Sequence, residues 1–203
     1  MTDIPDIKVI LFDFGGVLAE EGFKGGILAI AEKNNLNPEE LIKTAFDMVY
    51  ELGFTSGRVK EDAFWAALRL ETGIRGTNEE LKDEILSRFV LRPWMLEIAS
   101  ELKEKGFKIG ILSDQTHWLD ELNGRDDFFH FFDYVFNSYH LGETKKDPAI
   151  FDYALKSMNV MPESVLFIDD HVPNLKRART KGIQTMLYMN KETFFQKLQR
   201  HLS

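Results

Sequence analysis

The sequence predicts an α/β fold, a doubly wound parallel sheet into which a helical segment is inserted. Short apolar runs of strand type alternate with helix-type segments outside that segment, and this alternation is typical of parallel sheets with right-handed crossovers. Between about Glu20 and Leu91 the pattern changes, because helix signals follow one another with almost no strand signal. We therefore predict an α/β core from residues 1–18 and 92–203 and a helical domain from residues 19–91.

Five short apolar runs are predicted strands. They are Ile7–Phe12, Phe107–Leu112, Tyr134–Phe136, Val165–Ile168 and Thr185–Tyr188. Long polar stretches are missing from them, as expected of strands that are covered on both faces of a sheet. Three of the runs stop at polar residues: the first at Asp13, the second at Ser113 and the fourth at Asp169 and Asp170. Ligands of open parallel sheets bind beyond the carboxyl ends of the strands, so these residues are functional candidates by position.

Helices are predicted between the strands of the core. The segments are Met95–Lys105, Pro148–Met158 and Asn174–Lys181. Glycine follows the first and the third, and glycine is a common helix stop. Proline opens the second, with Asp147 before it as the expected cap.

The inserted segment carries helix signals of its own. Pro38 opens a helix that runs to about Leu52, and Lys60–Glu71 has its apolar residues on one face. Thr77 and Glu80 have the spacing of a capping box, which predicts the start of a third helix.

Composition narrows the classes of function. The chain has 203 residues, a formal net charge of −8 and no cysteine, so disulfides, thiolate metal sites and cysteine nucleophiles are excluded. Its one basic cluster, at Lys176–Lys181, is interpreted as a solvated helix face, with anion contact as the alternative. No signal-peptide pattern and no bilayer-spanning apolar run occurs in the sequence. We therefore expect a cytoplasmic protein without nucleic-acid or membrane partners.

Four segments, in order along the chain, resemble the four motifs of the haloacid-dehalogenase superfamily. They are Phe12–Leu18, Ile111–Ser113, Gly142–Pro148 and Phe167–Asn174. One such motif is weak evidence, whereas four in the right order, each in the expected local structure, are strong evidence. The resemblance spans the whole predicted core. It implies a Rossmann-like sheet, with residues 19–91 as the family's first-type helical cap.

The resemblance implies that Asp13 is a nucleophile, which forms an aspartyl-phosphate that water then hydrolyses. It also implies Mg²⁺ as cofactor, with Asp13, the Gly15 carbonyl, Asp169 and Asp170 as its ligands. A carboxylate that attacks a phosphate faces like-charge repulsion, and a hard cation with oxygen ligands relieves that repulsion. The alternative for Asp169 and Asp170 is a helix N-cap beside a solvated acid.

Ser113, Asp114 and Lys145 are the phosphate-binding residues that the resemblance implies. Ser113 would hydrogen-bond the phosphate, and its alternative role is the cap of a helix over Gln115–Leu122. Asp114 stands where relatives often have Asn, so its charge is unhelpful beside a phosphate although its N–H is available. Lys145 has the spacing of the third-motif lysine, which would anchor nucleophile and phosphate; Lys146 is the alternative in a shifted register.

Gly15 is the main departure from the family pattern. Most phosphatases of this superfamily have a second Asp two residues after the nucleophile, which protonates the leaving group and then activates water. Glycine can do neither, although its backbone carbonyl remains available to a metal. Candidate replacements, among which the sequence does not choose, are Glu20, Glu21, His117 and His171.

The inserted segment adds two expectations about substrate access. Gly22, Gly25 and Gly26 follow the first motif and are candidates for a hinge that lets the cap move. Candidate specificity residues are Phe46, Tyr50, Arg58 and Trp65. For the three aromatic residues the alternative is a place in the cap's own core.

The resulting hypothesis is a Mg²⁺-dependent hydrolase of a small phosphorylated metabolite, with a sugar phosphate as one candidate. One alternative is a C–halogen hydrolase of the haloacid-dehalogenase type, which also lacks the second Asp. Such enzymes work without Mg²⁺ and typically have a Ser-Asn-rich fourth motif, where this chain has Asp169 and Asp170. The other alternative is a weakly catalytic phosphate-binding or regulatory protein, which Gly15 favours. Substrate and oligomeric state stay open.

Overall fold

The computed structural model describes residues 6–202, so residues 1–5 and 203 of the predicted core lie outside it. Its sheet has five parallel strands in the spatial order β3-β2-β1-β4-β5. The strands are β1 Val9–Phe12, β2 Lys108–Ser113, β3 Tyr134–Asn137, β4 Val165–Asp169 and β5 Gln184–Leu187. All five predicted strands are present, with ends displaced by a few residues.

Helices account for most of the remaining described chain. They are α1 Gly22–Asn34, α2 Pro38–Glu51, α3 Glu61–Thr72, α4 Asn78–Leu86, α5 Pro93–Glu104, α6 Trp118–Asp126, α7 Ser138–Leu141, α8 Ala149–Met158, α9 Val172–Thr180 and α10 Lys191–Leu202. The capping box of Thr77 and Glu80 is formed at the start of α4. Within residues 6–202, no helix combines the length and the apolarity that crossing a bilayer requires.

The sheet is covered on both faces, as the doubly wound fold class predicts. Alternate residues of β1 divide between two apolar clusters: Val9 and Leu11 belong to one, and Ile10 and Phe12 to the other. The first cluster includes apolar residues of α8 and α9, and the second includes those of α5, α6 and α10. Since side chains alternate across a strand, this division places helices on opposite faces of the sheet. The α/β fold class is therefore confirmed.

The helical insertion, α1–α4, joins the sheet through two short connections that meet at an antiparallel bridge between Ala19 and Leu91. Its helices share one apolar cluster with a face of the sheet, so the cluster runs without a break from Ile10 and Phe12 into α1–α4. The division of the chain into a core and a separate cap domain stays a prediction.

The glycines expected to form a hinge are part of α1. A Cβ on Gly22 would lie 2.4 Å from the Phe89 ring, and one on Gly26 would lie 2.5 Å from the Ile85 Cα atom of α4. These glycines therefore allow two helices to approach closely. Because both contacts lie within the insertion, the role of these glycines as a hinge between insertion and sheet stays a prediction.

Candidate active site

The polar strand ends meet at the point where the sheet reverses direction. The chain runs outward from β1 through β2 to β3, then crosses back to β4 and β5 on the other side of β1. Phe12 is level with Ile111 of β2 and Ile168 of β4, so the residues that follow in each strand reach the same edge. Such a switch point opens a crevice between diverging connections, and ligands of α/β sheets bind there.

Asp13 lies at this edge as a buried carboxylate held by three donors. Its Oδ1 accepts the Phe14 N–H at 2.7 Å and the Ser113 hydroxyl at 2.8 Å. Its Oδ2 lies 2.7 Å from the Lys145 Nζ. The alternative role of Ser113 as a helix cap is wrong, because α6 begins only at Trp118 and Ser113 is the last residue of β2.

Lys145 lies between two carboxylates. Its ammonium is 2.7 Å from Asp13 Oδ2 and 2.8 Å from Asp169 Oδ2, and its side chain is 1% exposed. Lys146 is exposed, and its ammonium lies 3.7 Å from the centre of the Tyr50 ring. The two neighbouring lysines thus point to different groups, and it is Lys145 that reaches the strand ends.

Asp169 and Asp170 complete an acidic group with Asp13, in which ligand oxygens lie within 4.8 Å of one another. Asp169 Oδ1 accepts the His171 N–H at 2.6 Å, and its Oδ2 accepts the Asn174 side-chain amide at 3.1 Å. Neither residue is the N-cap of α9, a position that His171 occupies. We call Asp13, Asp169, Asp170 and Lys145 the sheet-edge cluster.

The charges of the sheet-edge cluster are only partly balanced. Burial raises the pKa of the Asp13 carboxyl well above its usual range; Lys145 opposes the rise and Asp169 adds to it. Burial also opposes ionisation of Asp169, but Lys145 and hydrogen bonds lower the pKa of this carboxyl. Burial, followed by repulsion from Asp169, raises the pKa of Asp170. One ammonium therefore serves three carboxylates, and a second cation would relieve their repulsion.

The donor set of this cluster fits a hard divalent cation. Three carboxylates converge on one point, and carboxylate oxygens are the ligands that Mg²⁺ takes from proteins. Gly16 provides the space beside them: its φ is +81°, and a Cβ there would lie 2.1 Å from Asp170 Oδ2. A side chain at this position would therefore displace a predicted metal ligand.

Asp114 binds protein groups through both of its oxygens. Oδ1 accepts the backbone N–H of Lys145 at 2.8 Å, and Oδ2 accepts the Tyr50 hydroxyl at 3.2 Å. Burial raises the pKa of this carboxyl, while Lys145 and the hydrogen bonds act against the rise. The sequence suggested neither partner, because both come from segments far away in the chain.

Two side chains lie close to the position that a Cβ atom would take at Gly15. A Cβ at this position would lie 3.3 Å from the Phe89 ring and 3.8 Å from the Gln115 amide nitrogen. The backbone of Gly15 lies outside the left-handed region, unlike that of Gly16. Backbone geometry therefore does not require glycine at the position where most relatives have the acid/base Asp.

A cavity of about 320 Å³ opens over these residues. Of the predicted site residues, Asp13, Gly15, Ser113, Asp114, Lys145 and Asp170 line it. Asp169 lies beneath them, with 0% exposure. The structure therefore brings together every residue that the sequence proposed for metal and phosphate.

The other candidate residues either line this cavity or lie outside it. Glu21, Phe46, Tyr50, Lys146 and His171 line the cavity. Trp65 is buried in an aromatic cluster with Trp118, and Arg58 lines a different cavity. Glu20 forms an ion pair with Arg92, and His117 contacts Glu61 and Glu121. These four do not line the active-site cavity, although the cavity that Arg58 lines shares Tyr50 and Lys146 with it.

Three cavity residues were not singled out by the sequence. Gln115 lies on the loop after β2, and Asn174 and Arg177 lie on α9. The Arg177 guanidinium donates to Asn174 Oδ1 at 3.1 Å, and Asn174 in turn donates to Asp169. Arg177 belongs to the basic cluster that we interpreted as a solvated face, and helical spacing alone could have separated it from its neighbours.

The chain belongs to the haloacid dehalogenase-like hydrolase family, whose model matches residues 7–182. This match covers β1–β4, the helical insertion and the four motif segments, and it ends before β5. The family resemblance seen in the sequence is thereby confirmed.

Individual relatives are similar over most of the chain. Bifunctional epoxide hydrolase 2 of Rattus norvegicus is 28% identical over 217 residues, covering 96% of this chain and 38% of that protein. The D-ribitol-5-phosphate phosphatase of Bacteroides thetaiotaomicron is 28% identical over 193 residues, covering 88% of this chain and 90% of that protein. The chain thus spans little more than a third of the rat relative.

A solved structure supports the fold. A haloacid dehalogenase family enzyme of Bacteroides thetaiotaomicron, in complex with magnesium and inorganic phosphate, superimposes with a TM-score of 0.73 at 22% identity. The match covers 90% of this chain and 94% of that one. At this identity the similarity shows the shared architecture.

Proposed function

We propose that this protein is a Mg²⁺-dependent phosphatase that hydrolyses a small phosphate monoester through Asp13. The observation that carries the proposal is the sheet-edge cluster, where a buried nucleophile candidate, two further carboxylates and a buried lysine converge under one cavity. The D-ribitol-5-phosphate phosphatase among the relatives supports phosphate esters as the substrate class.

The proposed reaction has two steps. An oxygen of Asp13 attacks the phosphorus, the bond from phosphorus to the ester oxygen breaks, and the ester oxygen leaves as an alkoxide that takes a proton from water. Water then attacks the phosphorus of the aspartyl-phosphate, which releases inorganic phosphate and restores the Asp13 carboxylate. Ser113 and Phe14 hold Asp13 Oδ1, so this carboxylate is oriented before substrate arrives.

Lys145 has two tasks in this scheme. Its ammonium contacts Asp13 directly and lies beside the space that the phosphoryl group would enter, so it can hold the nucleophile and attract phosphate oxygens. The pKa of Lys145 is raised by the surrounding carboxylates even though burial opposes the charge, so the amine stays protonated. The position of the Lys146 ammonium over the Tyr50 ring supports Lys145 rather than Lys146 in this role.

Asp13, the Gly15 carbonyl, Asp169 and Asp170 would hold the cation. When bound, Mg²⁺ supplies positive charge that offsets the repulsion between the carboxylate and the phosphate. Asn174 and the His171 N–H orient Asp169 from behind, and such outer partners commonly tune metal ligands.

The proposal is tested by measuring release of inorganic phosphate from a panel of phosphate esters, with Mg²⁺ and with EDTA. We expect turnover that requires Mg²⁺, and faster turnover of aryl esters than of alkyl esters because Gly15 supplies no proton. Absence of turnover on the whole panel would overturn the proposal. Halide release from 2-haloacids without Mg²⁺ would favour the C–halogen hydrolase instead.

A further inference from the structure

Asp114 is a half-buried carboxylate that neither hydrolysis step uses. It follows Ser113 at the end of β2, where a negative charge disfavours an incoming phosphate. Both of its oxygens accept hydrogen bonds from distant segments: the backbone N–H of Lys145 and the hydroxyl of Tyr50 in α2. Asp114 therefore connects the lysine-bearing loop to the helical insertion at the wall of the active-site cavity.

The bond to Tyr50 has only one possible direction. A carboxylate accepts hydrogen bonds and cannot donate, so the phenol must be the donor. Burial, followed by the charge of Asp114, raises the pKa of Tyr50, which keeps the hydroxyl protonated. Because its single proton is directed at Asp114, the phenolic oxygen offers only lone pairs to any other group. Tyr50 thus presents a hydrogen-bond acceptor at the cavity wall.

Lys146 also contacts Tyr50, through the aromatic ring. Its ammonium lies 3.7 Å from the centre of the Tyr50 ring, a favourable cation–π contact. Lys146 also lines the cavity and carries N–H donors. A donor and an oriented acceptor therefore stand side by side, and this pair matches a hydroxyl group, which both donates and accepts.

We propose that Tyr50 selects substrates whose leaving alcohol carries further hydroxyl groups, and that Asp114 is the positioning residue that orients the Tyr50 hydroxyl as an acceptor. The inference rests on the proposed phosphatase function and adds the class of leaving group, a polyhydroxylated alcohol.

The substitution Asp114→Asn reverses the hydrogen bond without removing it. The Asn carbonyl oxygen can still accept the Lys145 N–H, while its NH₂ group faces Tyr50 as a donor. The phenolic oxygen then becomes the acceptor in this pair, and its proton turns to other partners. The cavity wall changes from an acceptor into a donor with almost no change in volume. Tyr50→Phe removes the hydroxyl and keeps the ring beneath Lys146.

The experiment compares kcat/KM for a pentitol phosphate, for pentyl phosphate, which lacks the hydroxyl groups, and for an aryl phosphate, all with Mg²⁺. The selectivity is the pentitol-to-pentyl ratio, in which effects on the phosphate itself cancel. We expect Tyr50→Phe and Asp114→Asn each to lower this ratio by about 2- to 10-fold, the effect of one hydrogen bond. The double variant should fall no further than either single one, because Asp114 acts through Tyr50.

Two matched controls lie away from the cavity. Tyr139→Phe removes a hydroxyl that binds Lys60, and Asp133→Asn alters a carboxylate that accepts the Ile109 N–H and the Lys108 ammonium. Both should leave the pentitol-to-pentyl ratio unchanged.

The possible outcomes separate the inference from the function on which it rests. A ratio that Tyr50→Phe leaves unchanged overturns the selection by Tyr50, even if Asp114→Asn fails to fold. If the two losses in the pentitol-to-pentyl ratio multiply in the double variant, Asp114 does not act through Tyr50, and its positioning role is overturned. Equal kcat/KM for the pentitol and pentyl esters in the wild type overturns the inference alone. A wild type that hydrolyses no ester, aryl phosphate included, overturns the proposed function and the inference with it.

Discussion

Two acidic clusters of this protein have similar composition, but the pKa of the central carboxylate is raised in one and lowered in the other. The sheet-edge cluster combines three carboxylates with Lys145. A second group, which we call the Glu61 cluster, combines Glu61, Glu121, His117 and Lys82 where α3 packs against α6. In both, three ligand-type atoms lie within 4.8 Å of one another.

The difference lies in burial and in the charges around each carboxylate, not in the number of its donors. Glu61 accepts indole N–H groups from Trp65 at 2.9 Å and from Trp118 at 3.0 Å, and His117 Nε2 lies 3.2 Å away. Burial opposes its ionisation, but hydrogen bonds from His117 and the two indoles, together with Lys82, lower the pKa of Glu61 to about 2. Burial instead raises the pKa of Asp13.

The comparison distinguishes a stabilising cluster from a reactive one. A carboxylate whose pKa is lowered by its donors stabilises the fold, whereas a buried carboxylate whose pKa is raised beside another carboxylate favours binding of a cation or an electrophile. Residue types alone would assign both clusters to metal binding. The pKa shifts separate them: Trp65 and Trp118 help to lower the pKa of Glu61, whereas Asp169 adds to the rise in the pKa of Asp13.

The largest effect is expected from Asp13→Asn. The amide is nearly isosteric but cannot form the aspartyl-phosphate, so phosphate release should fall by more than about 10³-fold. The thermal midpoint should stay the same or rise, because a buried charge with a raised pKa is removed. Glu61→Gln is the matched control and should show the reverse, with turnover kept and stability lowered. Full activity of Asp13→Asn would contradict the covalent mechanism.

The next effect concerns the cation. EDTA should abolish turnover, and added Mg²⁺ should restore it. Since a ligand that binds only the folded state stabilises it, Mg²⁺ at about 100 times its Kd should add about 2.7 kcal/mol to the free energy of unfolding. In Asp170→Asn, Mg²⁺ should no longer raise the free energy of unfolding. In Glu121→Gln, a variant of the Glu61 cluster, Mg²⁺ should still raise it. If both variants lost the stabilisation by Mg²⁺ equally, the distinction between the two clusters would be contradicted.

Gly15→Asp is expected to have an intermediate effect on alkyl phosphates. General acid–base catalysis is worth roughly 10²–10⁴-fold, and an acid placed without optimisation should recover at least about 10-fold. The Cβ position needs only a small shift of the Phe89 ring, 3.3 Å away. The measurement is the dependence of kcat on the pKa of the leaving group. This dependence should be steep in the wild type and flatter in the variant. A flat wild-type dependence would instead assign proton donation to Glu21 or His171, which also line the cavity.

The smallest effect is the pH dependence of stability that arises from Glu61. Its pKa falls from an ordinary value of 4.5 to about 2 on folding, so the stabilisation is complete above pH 4.5 and is lost as the pH falls towards 2. Because part of the carboxylate is exposed to solvent, we expect about 1–2 kcal/mol rather than the full shift. Urea unfolding at pH 6 and pH 3 should show this loss in the wild type. Glu61→Gln should lack it, and an identical pH dependence in both proteins would contradict the assignment.

Much of the sheet edge was predictable, because a parallel sheet brings the carboxyl ends of its strands together. Asp13, Ser113 and Asp169 each follow an apolar run, and the observed register places those runs side by side. The helix α1 was missed because three glycines in its first turns obscure the apolar pattern, although they allow α1 to approach α4 closely. The relation of Tyr50 to Asp114 carried no sequence signal, since 64 positions separate the two residues.

The sequence by itself determined the family, the sheet and the residues at the strand ends, because these depend on local apolar patterns and motif spacing. Only the tertiary structure places Lys145 rather than Lys146 against Asp13, because the direction of each side chain depends on the loop before α8 and on its contacts with Asp114 and Tyr50. It also placed His117 away from the cavity and Tyr50 beside it. Which face of an inserted helix meets the active site is set by long-range packing, which residue spacing within that helix does not encode.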